Sequence, residues 1–212
     1  MRLKICGITR KDNLDALSAL NPDYMGFIFY PGSPRYMANT LSPEDLQQIP
    51  GHIIKTGVFV NAGIIDIMRT IDRYQLDAVQ LHGNETPEFC GLLHQRTIVI
   101  KSIGVDEHFS PTQLQPYESV CNYFLFDTAT IAHGGSGRRF DTALLQTEQI
   151  RKPFFLSGGI DQSVLDSEFL AQATLLHALD INSRFETAPG IKNIEQVKRF
   201  TQQLETQQLL QL

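Results

Sequence analysis

Asp127 ends the apolar run Tyr123-Phe124-Leu125-Phe126, and a loop carrying Gly134, Gly135, Ser136 and Gly137 follows it before a helix expected from Asp141. A carboxyl at a strand end can serve as a general acid where burial raises its pKa. Backbone N–H groups of a Gly-rich turn near a helix start can grip a phosphate. The same residues also fit a plainer description, an Asp capping a turn beside a surface loop. Lys4 and Cys6 stand two apart in the first apolar run, so they share one face, with Leu3 and Ile5 on the other. An ammonium beside a thiol favours thiolate, which makes Cys6 a candidate general base; a small buried hydrophobe is the alternative. Arg35, in Ser33-Pro34-Arg35-Tyr36, offers either a fork for a planar carboxylate or a solvated surface charge. His82, in Gln80-Leu81-His82-Gly83, is a donor to a substrate or a rim residue. Cys90 and Cys121 have no comparable setting and read as structural.

Three pieces suit a phosphate: Gly135 to Gly137, Ser157 with Gly158 and Gly159, and Asn182 with Ser183. No second His or carboxylate stands at ligand spacing from His82, so no metal site is expected.

Groups so far apart in sequence need a fold that gathers strand ends. Strand-type runs are expected at 2–6, 24–30, 53–60, 77–81, 97–102, 122–126, 153–156 and 175–179, with helical patterns between them. Ser42-Pro43 and Thr86-Pro87 read as helix starts, and the last helix begins near Asn193. The stretch 104–120 is poorly patterned. An open doubly wound sheet and a closed barrel both fit alternating strands and helices. An open sheet normally carries its Gly-rich loop after the first strand, where Gly7 stands alone here. The count of eight in 212 residues favours a single (β/α)8 TIM barrel over residues 1–212, with a tail at 207–212 expected to fray. Function in such a barrel sits at the C-terminal strand ends, which here carry Cys6, the 31–36 loop, Asn61, His82, Ser102, Asp127, Ser157 to Gly159 and Asp180 to Ser183.

Bulk properties narrow the class. The chain is 42% hydrophobic, enough for one substantial core, and its net charge of −5 comes with no Lys/Arg cluster suited to nucleic acid. There is no apolar run of spanning length and no signal-peptide pattern, so no membrane association is expected. Three cysteines without paired spacing point to a reduced, cytoplasmic protein.

Taken together, Lys4-Ile5-Cys6-Gly7-Ile8-Thr9, Gly26-Phe27-Ile28-Phe29 with Ser33-Pro34-Arg35-Tyr36, Gly57-Val58-Phe59-Val60-Asn61, Val79-Gln80-Leu81-His82-Gly83, Phe126-Asp127-Thr128 with Gly134-Gly135-Ser136-Gly137, Leu156-Ser157-Gly158-Gly159-Ile160 and Pro189-Gly190-Ile191-Lys192 resemble the phosphoribosylanthranilate isomerases of tryptophan biosynthesis. The resemblance implies an Amadori rearrangement of a phosphosugar, without metal or cofactor, in which Cys6 is general base and Asp127 general acid. It implies that Arg35 holds the anthranilate carboxylate. Backbone groups at Gly135, Ser136, Gly137, Gly158, Gly159, Asn182 and Ser183 would hold the phosphate, and Lys4 and His82 are further candidates for substrate contact. The chain departs from the family pattern after the eighth strand, where Asn182-Ser183-Arg184-Phe185-Glu186 stands for Ser-Ser-Gly followed by Val-Glu. Two alternatives remain at this level. One is a lyase or aldolase on the same barrel, using Lys4 or Lys101. The other is a non-catalytic phospho-ligand binder.

Overall fold

The computed structural model describes residues 1–128 and 150–210. Eight parallel strands, β1 (Arg2–Cys6), β2 (Tyr24–Ile28), β3 (Ile54–Phe59), β4 (Ala78–Leu81), β5 (Ile98–Val105), β6 (Tyr123–Thr128), β7 (Phe154–Leu156) and β8 (Leu176–Ile181), pair in sequence order. Pairing of β8 with β1, Lys4 opposite Asp180, closes the ring. This is the (β/α)8 barrel expected from the strand count. Outside it lie α1 (Lys11–Ser18), α2 (Pro43–Gln47), α3 (Ile64–Tyr74), α4 (Pro87–His94), α5 (Glu168–Gln172) and α6 (Ile194–Leu210). None of the described helices is long and apolar enough to cross a membrane.

Local chemistry accounts for the helix starts. The Ser42 hydroxyl accepts from the Asp45 N–H, the Asp45 carboxylate accepts from the Ser42 N–H, and Pro43 occupies the first turn, where it forfeits no hydrogen bond. The Thr86 hydroxyl accepts from the Phe89 N–H to cap α4 before Pro87, without the reciprocal bond. The weakly patterned stretch between β5 and β6 holds a 3-10 turn at Pro111–Tyr117, with Pro116 inside it. The last helix runs from Ile194 to Leu210.

Strand alternation sorts side chains into two layers. Leu3, Ile5, Met25, Phe27, Phe124, Phe126, Leu179 and Ile181 face the helices in the larger apolar cluster. Tyr24, Ile100, Leu125, Phe155 and Ala178 fill the barrel itself. Above that filling the interior turns polar: Lys4 and Asp180 form a buried ion pair at 2.9 Å, with Thr56, Gln80 and Ser102 also buried. The link after β8 holds a short antiparallel ribbon, β9 (Glu186–Ala188) and β10 (Ile191–Lys192).

Candidate active site

Alternation along β1 sends Leu3 and Ile5 outward and Lys4 and Cys6 inward, as their spacing predicts. Cys6 is 4% exposed yet lines a cavity at the C-terminal mouth of the barrel. Its register partner on β2 is Gly26. A Cβ on Gly26 would sit 2.6 Å from the Cys6 sulfur, so only glycine leaves the thiol its place.

Burial raises the Cys6 pKa above the ordinary thiol value, and Lys4 and Lys192 oppose that rise without cancelling it. The effect of Lys4 on the thiol is in the expected direction, but burial sets the net direction upward. Lys4 does pull the thiol down, but its ammonium is shared with Asp180, itself a charge that pushes Cys6 up. Lys4 is fully buried beneath the cavity and is not part of its wall.

Asp127 has the same parity on β6 as Leu125, which packs inside the barrel, and it lines the same cavity. The strand alone left that orientation open, because both its faces are apolar. His82 also lines the cavity, its Nε2 3.5 Å from Asp127 Oδ2. The Gln80 amide nitrogen lies 2.8 Å from His82 Nδ1 and 3.2 Å from the Ser102 hydroxyl. With an amide N–H donating to Nδ1, the neutral ring carries its proton on Nε2, towards Asp127.

The prolines of the 31–36 loop bring Arg35 to the mouth, where it lines the cavity while paired with Glu186 at 2.7 Å. Burial pushes the Glu186 carboxyl up, but Arg35 and Lys192 outweigh it and hold the group below the usual carboxylate range. Ser157, Gly158 and Gly159 after β7, and Asn182 and Ser183 after β8, complete the wall. Gly158 and Gly159 have φ of +82° and +67°, a turn that L side chains resist. Arg184 lines the cavity too, while Phe185 beside it is anchored on Phe200 of α6 with ring centroids 5.0 Å apart. Gly135, Ser136 and Gly137 lie outside the described residues.

In ring order Cys6 stands between the Arg35 loop on β2 and the Ser183 loop on β8, and Asp127 is reached across β7 and β8. A thiol, a carboxyl, an arginine fork and the Gly158–Gly159 turn thus line one chamber. Asn61 and Ser102 do not line the chamber: β5 runs on to Val105, so Ser102 lies within the strand and not at its end as expected, its hydroxyl accepting from Gln80, and the Asn61 side-chain oxygen accepts from the Asn84 N–H. Lys101 is 3% exposed and paired with Glu85 at 3.0 Å, so neither lysine suited to a Schiff base reaches the chamber. Among the described residues no group of three His, Cys, Asp or Glu side chains converges to hold a metal. Sequence reasoning gave no part in this chamber or its support to Gln80, Glu186 or Lys192, and named Asp180 only as a strand end. For Gln80 and Asp180 a signal existed, the inward parity they share with His82 and Lys4.

A family model described as N-(5'-phosphoribosyl)anthranilate (PRA) isomerase matches residues 3–203. A relative of that name from Parabacteroides distasonis is 39% identical over 210 residues, covering 96% of this chain and 93% of its own. The crystal structure of phosphoribosyl anthranilate isomerase from Thermotoga maritima is 34% identical, with a TM-score of 0.83 over 97% of this chain and 99% of that one. A crystal structure of phosphoribosyl anthranilate isomerase in complex with reduced 1-(o-carboxyphenylamino)-1-deoxyribulose 5-phosphate superimposes at a TM-score of 0.78, with 31% identity over 97% of this chain and 99% of that one.

Proposed function

The chain belongs to the N-(5'-phosphoribosyl)anthranilate isomerase family of tryptophan biosynthesis, and from that premise we propose how its own residues carry the reaction. Asp127 protonates the ring oxygen of the phosphoribosyl group as the furanose opens to a Schiff base. Cys6, as thiolate, takes the proton from C2 of the sugar, and the resulting enolamine tautomerises to the 1-deoxyribulose 5-phosphate product. Arg35 holds the anthranilate carboxylate. Gly158, Gly159, Asn182 and Ser183 hold the phosphate, together with the 135–137 segment. Fixing both ends of the substrate keeps the sugar between base and acid, so two proton transfers on one molecule need no further group from outside the chain. His82, with its Nε2 proton towards Asp127, orients that carboxyl or meets the sugar directly.

The observation that carries this reading is that Cys6 and Asp127 line one chamber, whose wall also holds Arg35 and the paired glycines after β7. The burial that raises the Cys6 pKa fits the role, since a desolvated thiolate is the stronger base once formed. The test is a fluorescence assay following loss of phosphoribosylanthranilate. Cys6→Ser and Asp127→Asn are each expected to lose most of kcat, by at least ~100-fold, while still binding a reduced product analogue. Normal turnover in either variant would remove that residue from the mechanism.

A further inference from the structure

The ribbon after β8 sets Lys192 directly opposite Glu186, and both side chains are nearly inaccessible at 0% and 5%. Two hydrogen bonds of 2.9 Å between the Asn13 side chain and the Lys192 backbone fix the ribbon to α1. Neither Glu186 nor Lys192 lines the chamber. Glu186 instead grips Arg35 along one edge: Nε lies 2.9 and 3.1 Å from the two carboxylate oxygens, and Nη2 2.7 Å from Oε2. Among the described residues Nη1 has no partner, so the end of the fork remains open to a second carboxylate.

Charge arithmetic explains why a buried glutamate beside that fork does not repel such a ligand. Lys192 Nζ donates to Glu186 Oε1 at 2.5 Å, and the Gly190 N–H donates to the same oxygen at 3.1 Å. Arg35, Glu186 and Lys192 together keep one positive charge. Lys192 Nζ also donates to Asn182 Oδ1 at 2.9 Å and to the Gly7 carbonyl at 3.4 Å. One ammonium is thereby tied to the arginine's partner, to the residue after Cys6 and to the loop after β8.

We propose that Glu186 and Lys192 are positioning residues for the carboxylate end of the substrate. Glu186 holds the Nε–Nη2 edge of Arg35 and presents its Nη1 end, and Lys192 locks Glu186 in register with Gly7 and Asn182. The inference rests on the assignment of Arg35 to the anthranilate carboxylate.

The experiment compares phosphoribosylanthranilate with the adduct made from aniline, which has the same sugar phosphate and no carboxylate. In Glu186→Gln the KM for phosphoribosylanthranilate is expected to rise about tenfold with kcat little changed, the size of one weakened charge-assisted contact. Turnover of the aniline adduct should be unaltered, so the preference for the carboxylate falls about tenfold, in the direction of Arg35→Ala. Lys192→Gln should lower the preference in the same sense, and it decides the matter if melting shows Glu186→Gln unfolded. Equal losses on both substrates, or none on either, would overturn the proposal and leave the pair as a scaffold contact. If Arg35→Ala itself leaves the preference intact, the Arg35 assignment fails and this inference falls with it. If the wild-type protein turns over neither compound, the proposed reaction fails first.

Discussion

At the residue scale, the Cys6 thiol stands between opposing influences. Burial and Asp180 raise its pKa; Lys4 and Lys192 lower it. The parity of Lys4 and Cys6 was legible in the sequence, because aliphatic Leu3 and Ile5 could only face the helices. The net sign was not, because it depends on Asp180, which comes 176 residues after Lys4 and engages its ammonium through a 2.9 Å bond. Lys4→Met should therefore move the pH profile of Cys6 alkylation further upward, since removing the cation leaves burial and Asp180 unopposed except by Lys192. Leaving Asp180 without its partner also costs stability, on the order of 3–5 kcal/mol, so the profile is to be read well below the variant's melting temperature. Superimposable alkylation profiles in wild type and variant would show that Lys4 serves the ion pair alone. Asp127 differs from Cys6 in how it could be read. Its strand is apolar on both faces, so only the packing of Leu125 inside the barrel fixes which way the carboxyl points.

At the element scale, the wall of the chamber is made mainly by the loops beyond the strand ends. The turn at Gly158 and Gly159 was legible because paired glycines after a strand allow few other structures. With φ at +82° and +67°, an alanine at either position is strained by roughly 1–2 kcal/mol. Gly159→Ala is expected to raise KM for the phosphorylated substrate about tenfold, by loss of one charge-assisted hydrogen bond, and to abolish any thermal stabilisation by inorganic phosphate. Phosphate stabilisation equal to wild type would place the anion elsewhere on the rim. The β9–β10 ribbon, by contrast, left no trace in the sequence pattern. Its strands are three and two residues long, too short for any alternation to show, and its ion pairs reach back to a loop 151 positions earlier. Hence Glu186 and Lys192 read as motif letters, and their grip on Arg35 became visible only in the fold.

At the scale of the whole molecule, the count of eight strands alternating with helices favoured the closed barrel over an open sheet. The two ends of that barrel are built differently. The C-terminal mouth is a chamber of mixed polar and apolar lining, whereas the N-terminal end is plugged by His177 among Tyr123, Phe155 and Tyr24, with ring centroids 4.3, 5.2 and 5.8 Å away. Arg2 Nη1 lies 3.0 Å from His177 Nδ1 and the Tyr24 hydroxyl 2.8 Å from Nε2. Arginine only donates, so Nδ1 is the acceptor and Nε2 carries the proton of the neutral ring. Protonating Nδ1 would break the Arg2 bond and set two cations together inside a half-buried aromatic cage. Burial first, and Arg2 second, lower the His177 pKa to about 4. Between the ordinary histidine value and 4 the unfolded chain thus binds a proton that the folded chain refuses. Stability is fully present above about pH 7 and declines as the pH falls towards 4. At ~1.4 kcal/mol per unit the full shift would be worth about 3 kcal/mol, and the half-exposed ring reduces this to about 1–2 kcal/mol. Urea titrations at pH 7.5 and 4.5 should show wild type losing that much more stability than His177→Asn, which has no proton to gain. Parallel losses in the two proteins would mean that the ring is already charged in the fold, and that acid sensitivity arises elsewhere.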